Sequence, residues 1–339
     1  MIRAAIRQCV VNIRLYFRSP LALSYGYLFP TIFLIAYWAL YRYDRVPLVR
    51  HMGELLTVTV LGGACFGLPT TFVSERERGV WRRYRLMPVP VAALVISTIV
   101  SRYVLLTTAG LLQLGLAMMI GMPRPEHPFE LWLVFTVVSF AFLGCGLVIA
   151  MMADTVPAVQ GLGQAIFLPM LVIGGIAVPI ASLPVWAQHA SAFFPGRYAV
   201  EALQACVSGV GVGSALFNMV ALLVIGIAGS TAGSMMFRWD EYERFAARRD
   251  HVWVALALAA WAAVGVFAEL RGYTTATNAV SRASQSPRQG TVDIAPTPLA
   301  PGPVQTLRAT PAELAAGARE PAAAPSSPAM GSASSGPVA

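Results

Sequence analysis

Residues 74–90, SERERGVWRRYRLMPVP, place five arginines and two glutamates between two long apolar runs, residues 54–73 and 91–121. A segment this short cannot form a domain of its own. The flanking runs are long enough to cross the roughly 30 Å hydrocarbon core of a bilayer as helices, which takes about 20 residues. We therefore interpret the segment as a charged connection between two membrane-spanning helices, exposed to a partner outside the membrane.

The composition agrees with a membrane protein. Of the 339 residues, 57% are hydrophobic and 12% are charged, whereas soluble domains carry about 25% charge. Further apolar runs occur near residues 21–41, 130–152, 161–180 and 214–237, and a weaker one at 252–268. These runs predict an all-α integral membrane protein with six transmembrane helices and a seventh, less apolar span.

The basic residues predict how the chain lies in the membrane. All 24 are arginines, and they lie between the apolar runs rather than along one polar face, which disfavours nucleic acid as a partner. If the N-terminus is cytoplasmic, the inner segments up to residue 251 hold 13 arginines and the outer ones hold 5. The positive-inside rule then predicts a multi-pass protein of the plasma (inner) membrane with a cytoplasmic N-terminus. The C-terminal tail lies outside if residues 252–268 span.

The complete lack of lysine excludes several chemistries. A Walker A loop needs its lysine to reach the β- and γ-phosphates, and a protein-kinase site needs one as well. If ATP drives this protein, another chain must therefore bind it. No HExxH or GxSxG motif is present, and the four cysteines show no CxxC spacing. We expect no catalytic residue, cofactor or metal site in this chain.

Two segments contain helices that are not expected to span. Arg3, Arg7, Arg14 and Arg18 fall on one side of a helix beside an apolar stripe, which predicts an interfacial helix over residues 1–20. Residues 181–213 are apolar and aromatic, but Pro184, Pro195 and several glycines interrupt them. They predict two short half-helices that form a re-entrant hairpin at the outer face.

The C-terminal tail differs from the rest of the chain. From Ser281 onward, ten of 59 residues are proline and many others are alanine or serine, which predicts disorder. The expected organisation is an interfacial helix at 1–20, a transmembrane domain at 21–238, a cytoplasmic linker with the extra span at 239–268, and a disordered tail at 269–339.

Helical spacing gives the 74–90 segment two faces. One face would carry Glu75, Arg78, Arg82 and Arg85, and the other Val80, Tyr84 and Met87, with Trp81 at the edge. Pro88 and Pro90 end the helix before the next span. A loop that only fixes topology is the simpler interpretation. It does not require Trp81, Tyr84 and Met87 to share one side, so we favour a docking helix.

Two motifs resemble those of the ABC-2 type exporter permeases. The first resembles the family's coupling helix and comprises Glu75, Glu77, Gly79, Val80, Trp81, Pro88 and Val89. The second resembles the family's outer re-entrant hairpin and comprises Gly174, Gly175, Pro179, Leu183, Pro184, Trp186, Pro195, Tyr198 and Glu201. The amphipathic N-terminal helix also matches, so the resemblance covers about residues 1–238.

The resemblance implies a non-catalytic permease that pairs with a second copy or a homologue and with cytoplasmic ABC ATPase subunits, which bind ATP and Mg²⁺. It implies ATPase-coupling roles for Glu75, Glu77, Gly79, Val80, Trp81, Tyr84, Met87 and Pro88. Pro179, Pro184, Trp186, Pro195, Tyr198 and Glu201 would form the hairpin at the substrate exit. The implied cargo is a drug, a lipid or a glycan-type substrate. Family members usually end near the sixth span, so residues 252–339 are unexplained.

Alternatives remain open at this point. The chain could be an ATP-independent channel or secondary transporter, or a membrane scaffold whose tail recruits partners. The near absence of central charge in the spans disfavours proton coupling. Arg102 is the exception, and it is either functional or snorkels to the inner interface. Glu201, near Arg197, forms either a structural pair or an exit gate. Glycine pairs such as Gly229 and Gly233 suit a dimer or internal packing equally.

Overall fold

The computed structural model describes residues 2–18, 24–43, 48–81, 91–237 and 248–272, which all belong to one compact unit, Met1–Pro287. Within these ranges every regular element is helical. The tail beyond residue 272 and residues 82–90 lie outside the described residues. The predicted disorder of the tail and the roles of Tyr84, Met87 and Pro88 therefore stay predictions.

The described residues include ten α-helices, one of which contains a π-helical turn. They are α1 Ile2–Arg18, α2 Phe29–Tyr41, α3 Met52–Glu77, α4 Val91–Met119, α5 Pro128–Met152, α6 Val156–Val172, α7 Val185–Ser191, α8 Pro195–Val207, α9 Leu216–Met235 and α10 Arg248–Leu270. A π-helical turn, Ser24–Leu28, leads into α2, and a second, Gly63–Gly67, lies inside α3. Short 3₁₀ turns precede α7 and α9, at Ile180–Ser182 and Val212–Ala215.

Five of the described helices are long and apolar enough to cross a membrane: α3, α4, α5, α9 and α10. The helices α2 and α6 are shorter apolar helices at the positions of the first and fifth predicted spans. The extra apolar run at 252–268 lies inside α10, which has 23 residues. At 1.5 Å per residue this helix measures about 35 Å, more than the hydrocarbon core requires. The all-α membrane fold is thus confirmed.

The fifth predicted span, residues 161–180, is displaced along the chain. The helix α6 begins earlier, at Val156, because the Thr155 side chain accepts a hydrogen bond from the Ala158 amide at 3.3 Å and caps it. It ends at Val172, before a turn at Gly175, which has a φ of +74°. Only glycine adopts this backbone region freely, so residues 173–180 lie outside the helix.

The helix α5 lies at the centre of the bundle, with α9 and α3 packed against it. The crossing of α5 and α9 is close, because a Cβ on Gly144 would come within 2.8 Å of the Gly226 carbonyl oxygen. Gly229 lies against the Gly144 backbone, and Gly233 lies against Leu147. The glycine pair of α9 therefore serves internal packing in this chain.

The helix α1 lies against α4 rather than crossing the bundle. Arg7, Arg14 and Arg18 are exposed, whereas Cys9, Ile13 and Tyr16 are half-buried. The Ser101 hydroxyl of α4 lies 3.3 Å from the Cys9 carbonyl oxygen. Other apolar side chains of α1, such as Leu15 and Phe17, remain exposed. This distribution fits the predicted interfacial helix.

The bundle has two distinct ends. At one end, here called the α1 end, α3 and α5 finish and α6 begins; at the other, the hairpin end, α5 and α9 begin and the α7–α8 hairpin packs onto them. The helices α7 and α8 have 7 and 13 residues. Their lengths are about 10 and 20 Å, too short to span, which is consistent with the predicted re-entrant hairpin; we refer to α7 and α8 as the hairpin below.

Candidate coupling and hairpin sites

The helix α3 stops at the start of the predicted coupling segment. The Arg78 amide donates to the Ser74 carbonyl and the Gly79 amide donates to the Arg76 carbonyl, at 3.0 and 2.9 Å. Gly79 has a φ of +66°, as expected of a glycine that ends a helix. The assumption of one continuous helix through Gly79 is therefore wrong, because α3 ends at Glu77 and the turn at Gly79 separates Glu75 and Arg78 from Val80 and Trp81. Arg82 and Arg85 lie outside the described residues, so their place on the predicted face stays a prediction.

Trp81 faces the interior of the bundle. Its side chain is only 2% exposed, stacks on Phe72 with ring centroids 5.4 Å apart, and meets Phe237 edge-on at 5.2 Å. The expectation that Trp81 forms an exposed docking knob with Tyr84 and Met87 is corrected for this residue. Its ring instead joins the start of the coupling segment to α3 and to the end of α9, and the neighbouring Val80 is half-buried.

Two charged residues of the last turn of α3 bind the loop between α5 and α6. Arg76 is buried and its guanidinium donates to the Ala153 carbonyl. The Glu77 carboxylate accepts a hydrogen bond from the Val156 amide at 3.0 Å. The motif pointed to Glu77 but not to Arg76, whose only sequence signal is its place in the alternating acidic and basic run.

These contacts form one structural unit, which we call the Trp81 junction. It comprises Phe72, Arg76, Glu77, Trp81 and Phe237 together with the loop at residues 153–156. The unit connects α3, α5, α6 and α9 at the α1 end. A displacement of the chain at Trp81 would therefore act on four helices at once.

Arg102 joins α4 to two other helices near the same end. Its guanidinium donates to the Thr71 hydroxyl and lies 5.2 Å from the centroid of the Tyr16 ring. It also interacts electrostatically with Glu75 in the last turn of α3. The contacts of this side chain are thus with protein groups of α1 and α3.

The hairpin is built around an ion pair. Arg197 is completely buried, and its Nε donates to Glu201 Oε1 at 3.0 Å while its Nη1 donates to the Ser191 hydroxyl at 2.8 Å. The Asn218 amide of α9 donates to the other Glu201 oxygen at 3.2 Å. The pair therefore connects α7, α8 and α9, which favours the structural interpretation of Glu201.

The other predicted hairpin residues have different environments. Pro195 is the first residue of α8, where a missing amide hydrogen has no cost, and buried Tyr198 donates its hydroxyl to the Ala192 carbonyl. Pro179 and Pro184 immediately precede a 3₁₀ turn and α7. Trp186 is 67% exposed. The structure thus brings Pro195, Tyr198 and Glu201 together and leaves Trp186 on the surface.

Two further attachments of the hairpin had no clear signal in the sequence. The Gln204 side chain accepts from the Gly53 amide at 3.0 Å and donates to the Val49 carbonyl at 2.7 Å, which joins α8 to the start of α3. From α10, Glu269 pairs with His189 of α7 at 3.0 Å. The Trp261 indole of α10 also donates to the Phe193 carbonyl. The extra helix thus contacts the hairpin directly.

No candidate metal centre occurs in the part of the chain that the structure describes. Within it, no three histidine, cysteine, aspartate or glutamate side chains come together. The charged groups described above contact backbone groups, polar side chains, the Tyr16 ring and one another, an arrangement that fits mechanical connection.

Comparison with protein families identifies the chain. The family model for ABC-2 type transporters matches residues 8–207, which is more than half of the sequence and includes both motifs. Comparisons with curated proteins and with solved structures give no match. Members of this family are generally non-catalytic transmembrane subunits that work with an ABC ATPase. The chain therefore belongs to the ABC-2 type transporter family, as the membrane domain of an ABC transporter permease.

Proposed function

We propose that this chain is the permease subunit of an ATP-driven exporter in the plasma membrane. A separate ABC ATPase binds the α1 end in the cytoplasm and holds ATP and Mg²⁺, and the hairpin end faces the opposite side. The excess of arginines in the segments of the α1 end supports this orientation. Family membership supports the partnership with an ATPase.

The main structural support for this proposal is the Trp81 junction. The segment that begins at Val80 is anchored to the bundle through a buried ring and through hydrogen bonds of α3 to the 153–156 loop. Interiors packed this closely transmit strain rather than absorb it. An ATPase that moves the segment would therefore move α3, the α5–α6 loop and α9 together.

The helix α3 can carry this movement across the membrane. It runs from Met52 at the hairpin end to Glu77 at the α1 end. At Gly53 its backbone donates to Gln204 of α8, and a Cβ on Gly53 would lie 2.6 Å from the Val200 carbonyl oxygen. Because this contact is tight, a shift of α3 would change the position of the hairpin. We propose that this change opens the exit.

The proposed cargo is a drug, a lipid or a glycan-type substrate, and the proposed assembly contains a second copy of this chain or a homologue. The first loop at the hairpin end, residues 42–53, is too short to hold an external domain that would handle a large protein substrate. Aromatic residues of the first span, such as Tyr37 and Phe33, suit an apolar or glycan cargo.

Purification tests the partnership, and transport tests the energy source. The full-length chain, isolated in mild detergent, should copurify with a protein that contains a Walker A lysine. Inside-out vesicles should accumulate a labelled drug or lipid only with ATP, and replacing that lysine with alanine should abolish accumulation. Equal flux through the permease alone in ATP-free proteoliposomes would overturn the proposal and favour a channel or secondary transporter.

A further inference from the structure

A crevice opens between α4 and α5 on the surface near the hairpin end. Its volume is about 500 Å³, within the range of ligand sites. Its walls are almost entirely apolar, and the side chains that matter here are Leu111, Leu114, Met118, Leu131, Trp132 and Phe135. None of these residues belongs to the Trp81 junction or to the hairpin.

The crevice opens on the outer surface of the bundle and is closed at one end. Leu111 is 61% exposed and Trp132 is 49% exposed, so its mouth is apolar, as contact with lipid requires. Toward the middle of the membrane, the Tyr103 hydroxyl of α4 and the Thr136 hydroxyl of α5 lie 2.7 Å apart. This hydrogen bond joins the two helices one turn beyond Thr107 and Trp132.

A cation lies at the other end of the crevice. Arg124, in the loop between α4 and α5, is exposed and lines the crevice. It forms no hydrogen bond or ion pair with any residue that the structure describes. Neither nearby acid pairs with it: Glu130 accepts from the Val212 amide at 2.7 Å, and the Glu126 carboxylate lies against Gly209.

We propose that this crevice binds one phospholipid with an acidic headgroup, whose acyl chain lies between α4 and α5 and whose phosphate binds Arg124. A guanidinium matches a phosphate through two parallel hydrogen bonds. A zwitterionic lipid would also bring its positively charged ammonium group close to Arg124, so it would bind less tightly. The indole of Trp132 suits the boundary between headgroups and chains. This site does not depend on the proposed direction or energy source of transport.

Fluorescence quenching by brominated lipids tests the site. The full-length chain is reconstituted in phosphatidylcholine vesicles with rising fractions of brominated phosphatidylglycerol, and in a parallel series with brominated phosphatidylcholine. The difference between wild type and Trp132→Phe isolates the signal of Trp132 from the other six tryptophans. We expect phosphatidylglycerol to bind about fivefold more tightly, as one arginine near an anionic lipid would give.

Three variants decide the outcome. Arg124→Gln should reduce the ratio of the affinities for phosphatidylglycerol and phosphatidylcholine to about one. The control Arg42→Gln should keep it, because Arg42 already stacks on Tyr43 at 4.7 Å. Leu114→Phe, which narrows the crevice, should weaken quenching by both lipids. Equal affinity of wild type for the two lipids, or an unchanged preference in Arg124→Gln, would overturn the proposal, whatever happens to transport.

Discussion

The two ends of the bundle are held together by different interactions. At the α1 end, the Trp81 junction combines stacked aromatic rings with hydrogen bonds from charged side chains to backbone groups. At the hairpin end, polar side chains contact each other, as in the Arg197–Glu201 ion pair and the His189–Glu269 hydrogen bond. Aromatic packing resists displacement in every direction, whereas an ion pair depends strongly on geometry and solvent. The difference agrees with our proposal that the α1 end receives force from the ATPase and the hairpin end changes shape.

The largest loss of stability is expected when the buried charge of the hairpin, Arg197, is removed. Replacing Arg197 with methionine leaves Glu201 without its ion-pair partner and removes the hydrogen bond to Ser191. Breaking a buried pair typically lowers the free energy of unfolding by about 3–5 kcal/mol. Thermal or denaturant unfolding in detergent measures this loss. The control Arg7→Met, at an exposed position of α1, should change stability by less than about 0.5 kcal/mol; equal effects of the two changes would contradict the comparison.

The second-largest effect on stability is expected at the Trp81 junction. Trp81→Ala should lower the free energy of unfolding by about 3 kcal/mol, because it leaves a cavity between Phe72 and Phe237. It should also lower the amount of substrate transported per ATP that the partner hydrolyses. Trp81→Phe should keep most of the stability and most of this coupling. The ratio of transported substrate to hydrolysed ATP measures the coupling. If Trp81→Ala weakened ATPase binding and left stability intact, the ring would be an exposed docking residue after all.

A smaller effect is expected at the loop between α5 and α6. Glu77→Ala removes the acceptor for the Val156 amide, and hydrogen bonds to charged groups contribute about 1.5–3 kcal/mol. Because this contact is only partly buried, we expect a loss near the lower value and a partial loss of coupling. Glu77→Gln, which keeps an acceptor, is the matched control. Identical behaviour of the two variants would show that the hydrogen bond does not connect α3 to the loop.

The smallest effect is expected at the contact between α10 and the hairpin. His189 and Glu269 are partly exposed, and exposed pairs contribute about 0–1 kcal/mol. Glu269→Gln should therefore change stability by less than about 1 kcal/mol and leave transport nearly intact. Trp261→Phe removes the hydrogen bond to the Phe193 carbonyl and should act more strongly. Loss of transport in Glu269→Gln alone would show that α10 controls the hairpin through charge rather than packing.

Sequence patterns that extend over many residues predicted the helical architecture well. Hydrophobic runs of about 20 residues identified most of the long apolar helices, and the arginine spacing of α1 identified a helix with one charged side, because both patterns depend on the contrast between lipid and water. The boundaries of α6 were less predictable. They depend on a cap at Thr155 and a turn at Gly175, local features that hydropathy does not detect.

The sequence motifs named residues of the candidate sites, but they did not predict which groups these residues contact. The motifs identified Glu77, Trp81, Tyr198 and Glu201, yet the orientation of Trp81 was wrong. Helical spacing assumed one continuous helix, but α3 ends at Glu77, and the turn at Gly79 separates Val80 and Trp81 from it. Gln204 and Trp261 carried no signal because their partners lie more than 60 positions away in the chain.

The sequence by itself determined that this chain is an all-helical membrane protein that cannot bind ATP through a Walker A lysine. Those properties follow from composition and from the chemistry of single side chains. Only the tertiary structure decided which charges are buried, that Trp81 faces inward, and that α10 contacts the hairpin. These outcomes depend on which distant helices meet, and packing energies between helices select that arrangement.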